Sequence, residues 1–433
     1  MNKIIIKFST FLRYCIILFC LLILFPINSP AQKILIPMDL TQTDHLKAYG
    51  IAYWTLQKGN EVDWLLNYRG GSFLTKASDS LENELRVRGV SFQKVSESEV
   101  LIIQKTIADN NMDSVKLEKA PHIAVYSPPN KQPWDDAVTL VLTYAEIPYT
   151  VVWDEEVLAG KLDEYDWIHL HHEDFTGQYG KYFPLYGSTP WYIQDQMLSE
   201  TVAKKLGYSK VSEEKKAVAR AIRDYVAKGG FMFAMCSACD TYDIALAADS
   251  VDIVGSSYDG DPTDPDCQKK LNYSKSFAFT NFTLNLNPLE YEFSDIDYPP
   301  STDATWIANE ASDYFKLFEF SAKFDPVPTM LTQDHVGVIK GFMGQTTGFR
   351  RDLIKKSVII MGEVENTPFV KYIHGNYGKG TFTFYAGHDP EDYTHYVGDP
   401  PTQLSLHKNS PGYRLILNNI LFPAAKKKER KTE

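Results

Sequence analysis

The chain has 433 residues, a formal net charge of −11, 44% hydrophobic residues and 13% aromatic residues. That length and apolar content support large cores in two or three domains. An acidic balance with no long basic stripe argues against nucleic acid as a partner. The short basic run Lys426-Lys-Lys-Glu-Arg-Lys431 reads as a solvated tail over residues 424–433.

Residues 1–31 have the pattern of a cleaved leader. Lys3, Lys7 and Arg13 precede an apolar core from Tyr14 to Ile27, and Ser29-Pro30-Ala31 supplies small residues before Gln32. The apolar core is short and asymmetrically flanked, unlike a membrane span. The sequence therefore predicts an exported protein, periplasmic or secreted, with no membrane partner after cleavage near Ala31-Gln32. Two of the five cysteines lie in this segment, and Cys236, Cys239 and Cys267 remain. An odd count in an oxidising compartment predicts one bridge and one free thiol.

Residues 33–39 read as a first strand, 45–58 as a helix and 61–68 as a second strand closed by Gly70-Gly71. Residues 81–88 and 97–110 follow with helical spacing, with Ser91 to Val95 between them in the α/β alternation. This predicts a small α/β domain over 32–119, ending near the charged stretch Lys116 to Lys119. A fresh series starts at Pro121, with strands at 122–126, 149–153 and 166–171 and a helix over 133–146. A helix over 212–228 then leads into an apolar strand, 231–235, and a further helix over 240–248. Strands occur near 357–362, 370–374 and 381–386, and a helix over 411–421 closes the chain. Strands alternating with helices predict a doubly wound, mostly parallel, flavodoxin-like sheet over 120–423. Two stretches interrupt it, 175–211 and 250–335, and read as loop and β insertions over the carboxyl edge of the sheet, where such folds bind ligands.

The stretch Lys228-Gly-Gly-Phe-Met-Phe-Ala-Met-Cys-Ser-Ala-Cys239 carries the strongest chemical signal. A helix stops at two glycines, a buried strand follows, and Cys236 falls where that strand must turn into the next helix. A sulfur there can stand above the sheet as a nucleophile, its pKa lowered by helix amides and a nearby histidine. The competing reading is a packed structural cysteine. Downstream, Tyr385-Ala-Gly-His-Asp-Pro-Glu-Asp392 places His388 after a strand end with carboxylates at Asp389 and Glu391. A base oriented by a carboxylate is what an acyl-transfer cysteine needs, which makes Cys236, His388 and Glu391 the candidate catalytic set. Trp167-Ile-His169-Leu-His171-His172-Glu173-Asp174 puts His169 and His171 on one strand face, a spacing compatible with a divalent metal. Histidines simply hydrogen-bonded to loops explain the same pattern, and no metal or other cofactor is expected. His171, His172, Glu173 and Asp389 are candidates for lining the pocket. Cys239 and Cys267 are the expected disulfide, which leaves Cys236 reduced. The C-x-x-C spacing of Cys236 and Cys239 lacks thioredoxin-like surroundings, and Gly375-Asn-Tyr-Gly-Lys-Gly-Thr381 reads as a hairpin turn rather than a phosphate loop.

The elbow Ala234-Met-Cys236-Ser-Ala238 and the later His388-Asp-Pro-Glu391 resemble the class I glutamine amidotransferase-like superfamily, with its Gly-x-Cys-x-Gly and His-x-Glu motifs. Here alanine stands for both glycines, and the histidine motif is one residue longer. Gly378-Lys-Gly-Thr-Phe-Thr-Phe-Tyr-Ala-Gly-His388-Asp-Pro-Glu followed by Pro411-Gly-Tyr-Arg is similar to the ThuA-like branch, which is associated with sugar utilisation. The opening, from Pro37 to Gly50 and from Leu65 to Phe73, resembles exported bacterial proteins labelled asparagine synthetase B. The sequence has neither the N-terminal-cysteine glutaminase nor the Ser-Gly-Gly-x-Asp loop of an ATP-dependent asparagine synthetase. The resemblance implies an amidotransferase-like hydrolase or acyl transferase on an amide or ester. The alternatives are a non-catalytic, glycan-binding ThuA-like module, favoured by the Tyr- and Trp-rich loops, and a metal hydrolase using His169 and His171.

Overall fold

The computed structural model describes residues 32–130, 132–299, 309–325, 329–394 and 396–426. The expected leader, most of the basic tail and parts of the second insertion lie outside these residues.

The first part of the chain runs β1 (Lys33–Ile36), α1 (His45–Gln57), β2 (Val62–Leu66), β3 (Ser72–Lys76), α2 (Asp79–Arg88), β4 (Gln93–Val95), α3 (Glu97–Asp109) and β5 (Asp113–Leu117). Its strands form an antiparallel sheet in the order β4-β1-β3-β2-β5. Two of them escape the sequence reading. Arg69, Gly70 and Gly71 all have positive φ, so the chain reverses there and β3 pairs back on β2. In β5, Val115 and Leu117 are buried while Ser114 and Lys116 face water, a one-faced alternation masked by its charge. Ser96 and Glu99 form a capping box that starts α3.

The remainder builds a second sheet from β6 (Ile123–Tyr126), β7 (Thr150–Val152), β8 (Trp167–Leu170), β9 (Phe231–Met235), β10 (Tyr314–Leu317), β11 (Val338–Lys340), β12 (Phe349–Arg350), β13 (Ile359–Glu363), β14 (Phe369–Tyr377) and β15 (Gly380–Tyr385). Its ten strands follow the order β11-β10-β13-β14-β15-β9-β8-β6-β7, with β12 paired to β14. The segment β7-β6-β8-β9-β15 is parallel and the rest is antiparallel. The sheet is thus mixed rather than mostly parallel. The cause is local: β14 and β15 are joined by a tight turn at Gly378, φ 60°, too short for a parallel crossover. The second insertion, read as loop and β, supplies β10, which pairs with β11 and β13 in the sheet.

Six further helices matter: α4 (Ala137–Tyr144), α5 (Asp154–Leu158), α6 (Pro190–Lys205), α7 (Val211–Lys228), α8 (Ala238–Ala247) and α9 (Pro411–Leu421). The alternation of β9 sends Phe233 and Met235 into one core and Met232 and Ala234 into another. The first core holds α1, α4 and α9, and it runs without a break from Ile34, Tyr49 and Trp64 of the N-terminal part to Val138 and Leu417. Arg414 of α9 is fully buried there and donates to the Met38 carbonyl at 2.8 Å, the Tyr49 hydroxyl at 3.2 Å and the Gly70 carbonyl. The second core holds α5, α7 and α8 together with Phe277 to Phe293 of the second insertion. Among the described residues no helix is long and apolar enough to cross a membrane.

Candidate functional site

β9 ends at Met235, and Cys236 takes φ 53° before α8 begins at Ala238. A non-glycine residue in this region is strained by about 1–3 kcal/mol and is found where the surroundings fix it. Here the surroundings are the end of β8. The Ala238 amide donates to the His171 carbonyl at 2.9 Å, and the Ser237 hydroxyl donates to the His172 carbonyl at 2.8 Å. Thr241 Oγ1 donates to the Glu173 carbonyl at 3.0 Å. The first turn of α8 is therefore bolted to residues 171–173, which brings the two sequence signals together. Ala234 and Ala238 are both fully buried, so the turn accommodates a methyl group on each side of Cys236.

His171 and His172 stack at 3.7 Å between ring centroids, and His388 lies 4.9 and 4.5 Å from them. One donor atom from each of His171, His172, Cys236 and His388 falls within 4.8 Å of all the others. His388 is delivered from the opposite side by Gly387, whose φ is 101°. A side chain at Gly387 would collide with the ring of Phe342 at 2.1 Å, so only glycine allows the loop 342–347 to cross there. That loop is held by the amides of Gly387 and His388 donating to the Thr346 and Met343 carbonyls at 2.9 and 2.8 Å.

Cys236 and His388 floor a cavity of about 490 Å³ whose walls include Trp134, Tyr182, Tyr291 and Asp297. Burial pushes the Cys236 thiol up to about 12, against the pull of the Ser237 and Gln345 amides, with Asp297 and Asp240 adding to the rise. The expected lowering of this pKa is thus reversed: desolvation of the sulfur outweighs the helix amides. Burial, followed by the neighbouring His171 and His388, likewise holds His172 well below the usual histidine range. Asp240, beneath the site, is pushed up to about 7 by burial while accepting from Thr346 Oγ1 at 2.8 Å.

Asp136 is the organiser that the sequence reading missed. The predicted helix over 133–146 starts only at Ala137, and Asp136 caps it by accepting the Thr139 amide at 2.8 Å. Its other oxygen lies 3.0 Å from His171 Nδ1 and 3.1 Å from His169 Nε2. Burial works against ionisation, but the two imidazoles hold the Asp136 carboxyl well below the usual range. The Asp-Asp pair before an apolar helical run was the available signal. Trp134, Tyr291 and Gln345 were missed as well, because loops distant in sequence bring them to the cavity.

Several expectations require correction. Glu391 does not serve as the orienting carboxylate: it pairs with His407 Nδ1 at 3.0 Å. Asp389 is buried and accepts the Glu391 amide at 2.9 Å, so it shapes its own turn rather than the cavity wall. Glu173 faces a smaller neighbouring cavity of about 50 Å³ with Asp195 and Lys215, where burial raises its carboxyl well above the usual range. His169 is fully buried, with Nδ1 facing the Phe233 carbonyl at 3.3 Å and Nε2 3.1 Å from Asp136, and one ligand atom from each of Asp136, His169 and His171 lies within 4.8 Å of the others. Cys239 and Cys267 are both free. Each packs as an apolar side chain in the second core, the Cys239 sulfur lying 3.9 Å from the Tyr385 carbonyl.

No protein-family model and no curated protein matches the chain. Among solved structures it is similar to a cytoplasmic protein of Salmonella typhimurium LT2, at 12% identity and TM-score 0.37, over 70% of this chain and all of that one. A second cytoplasmic protein of Salmonella typhimurium gives 10% identity and TM-score 0.33 over 71% of this chain and all of that one. A β-galactosidase of Bacillus circulans sp. alkalophilus gives 10% identity and TM-score 0.25 over 63% of this chain and 30% of that one. Likenesses this distant carry no argument about activity.

Proposed function

We propose that the chain is an amidotransferase-like hydrolase or acyl transferase in which Cys236 attacks the carbonyl of an amide or ester. The observation that carries this reading is the strained Cys236, φ 53°, between β9 and α8 with imidazole nitrogens of His171 and His388 within 4.8 Å of its sulfur. The parallel order β7-β6-β8-β9-β15 supports a doubly wound, flavodoxin-like core, and residues 135–136, 171–172 and 236 all follow carboxyl ends of its strands near the β6/β8 reversal. Because the resting thiol keeps its proton, the base must accept it as the sulfur attacks. Asp136 holds the His171 ring by Nδ1, which leaves Nε2 to accept the thiol proton and pass it to the leaving amine or alcohol. The Ser237 and Gln345 amides that point at the sulfur supply donors for the oxyanion. Water then hydrolyses the thioester, or an acceptor nucleophile takes the acyl group.

The test is to incubate the protein with a panel of activated esters and amides and to look for a thioester mass on the Cys236 peptide. A thioester absent from Cys236→Ala supports the reading; undiminished hydrolysis by Cys236→Ala removes it. The six rings of Trp134, Tyr182, Tyr186, Tyr291, Tyr393 and Tyr396 around the cavity favour a second reading, a glycan-binding module. Saturable binding of a glycan by Cys236→Ala with no thioester in the wild type would put that reading first.

A further inference from the structure

A thiol nucleophile needs one base, yet three imidazoles converge on the Cys236 sulfur. We infer that Cys236, His171, His172 and His388 form a site for one divalent transition ion of the zinc class. Loading that site would silence the nucleophile, an effect that rests on the function proposed above.

The donor set is the first argument. Three imidazole nitrogens and one sulfur, each within 4.8 Å of the others, complete a four-coordinate shell from buried or half-buried side chains. Tetrahedral bonds to zinc put neighbouring donors about 3.3–3.8 Å apart, so the group needs to close by about 1 Å, within the reach of side-chain rotation. Nitrogen and thiolate ligands select zinc, cobalt or copper over magnesium or calcium.

The second argument is how the rings are held. Asp136 Oδ2 lies 3.0 Å from His171 Nδ1 as an ion-pair contact, and the Asp135 carbonyl lies at hydrogen-bond distance, 3.0 Å, from His172 Nε2. Each contact leaves the opposite nitrogen for an ion, the arrangement that orients metal-bound histidines. Both ring nitrogens of His171 are shielded from solvent and meet no hydrogen-bond geometry, so this buried imidazole has unsatisfied capacity beside the other donors. Access is available too, because Cys236, His172 and His388 all line the large cavity. The acidic group Asp252, Asp259 and Asp261 does not compete: Lys210 Nζ occupies it at 2.6, 3.2 and 2.7 Å.

On binding, the thiol gives its proton to solvent and the sulfur lone pair enters the metal bond. The pair is then unavailable for attack on a carbonyl.

Full-length protein stripped with a chelator and titrated with cobalt(II) tests the inference. We expect one equivalent taken up, with a thiolate-to-cobalt charge-transfer band and tetrahedral visible bands that zinc displaces. Cys236→Ser, which exchanges one atom and preserves packing, should lose the charge-transfer band. Asp136→Asn should weaken uptake about 10–100-fold, and His407→Gln should leave it unchanged. No uptake, or uptake without the charge-transfer band and undiminished in Cys236→Ser, overturns the site. Thioester trapping on the metal-free protein separates the two readings. Trapping without uptake sinks this inference alone; uptake without trapping keeps the site and removes its inhibitory role.

Discussion

Asp136 Oδ2 stands 3.0 Å from Nδ1 of His171, which places a carboxylate against an imidazole beside Cys236, while Glu391 pairs with His407 instead. The same carboxylate reaches His169 at 3.1 Å, so one side chain fixes two rings on successive inward positions of the β8 strand and its extension. A half-buried acid shared in this way fixes the placement of both rings.

Asp136→Asn keeps the helix cap, since asparagine caps as well as aspartate, but removes the charge that holds His171. Formation of the Cys236 thioester should slow by about 10²-fold, the scale of a misplaced general base, with denaturant stability nearly unchanged. Asp136→Ala should slow it similarly and also lose about 1 kcal/mol from the lost cap. Thioester formation followed by mass spectrometry, alongside urea unfolding, reads both effects.

Glu391→Gln gives the contrasting outcome. Glu391 pairs with the part-exposed His407, and pairs of that kind contribute about 0–1 kcal/mol. Acylation of Cys236 should change less than about twofold and the unfolding midpoint only slightly. A loss as large as that of Asp136→Asn would restore Glu391 as the orienting acid.

What the sequence discloses about this site follows from range. The β9 elbow, the histidines after β8 and His388 after β15 are each local patterns, a strand followed by a polar residue at its carboxyl end, and each is legible. Their meeting depends on β8, β9 and β15 being adjacent in the sheet, which parallel pairing supplies. Asp136 was hidden because a cap residue looks like the first residue of its helix. The disulfide expectation failed because a count of cysteines says nothing of where α8 places Cys239. Strand β10 was hidden inside an insertion whose aromatic residues alternate without a clear helix partner, and β5 behind lysine and aspartate.

Alkylation reports the state of the sulfur. With the thiol pushed up to about 12 by burial, reaction of Cys236 with iodoacetamide should be slow near neutral pH and climb through the alkaline range. The linkage has the same sign: a thiol pKa raised on folding from its ordinary value of 9.0 favours the native state fully below about 9, and that stability is lost as pH rises toward 12. Cys236→Ala should flatten the alkaline fall in stability. Fast, selective alkylation at pH 7 would show that the imidazoles hold a thiolate.

The pair behind the site should matter most for stability. Lys215 of α7 reaches Asp154, the first residue of α5, at 2.8 Å, with side chains 6% and 1% exposed. Its ammonium also donates to the Tyr126 hydroxyl at 3.0 Å and lies 3.9 Å from the Trp153 ring. Tyr126 in turn hydrogen-bonds to Asp154, so the three groups satisfy one another inside the second core. Burial opposes the Lys215 charge, but Asp154, then Glu214 and Glu173, more than offset it and raise the amine above its ordinary range. That stabilisation is present below the unfolded lysine pKa of about 10.4 and lost only above it. Lys215→Met strands the Asp154 carboxylate without a countercharge and should cost about 3–5 kcal/mol. Replacing both, Lys215→Met with Asp154→Leu, removes the desolvation penalty along with the attraction and should recover most of that loss. Urea unfolding of the two single variants and the double variant at pH 7 measures the coupling. Additive losses in the double variant would mean that the two charges do not act as a pair.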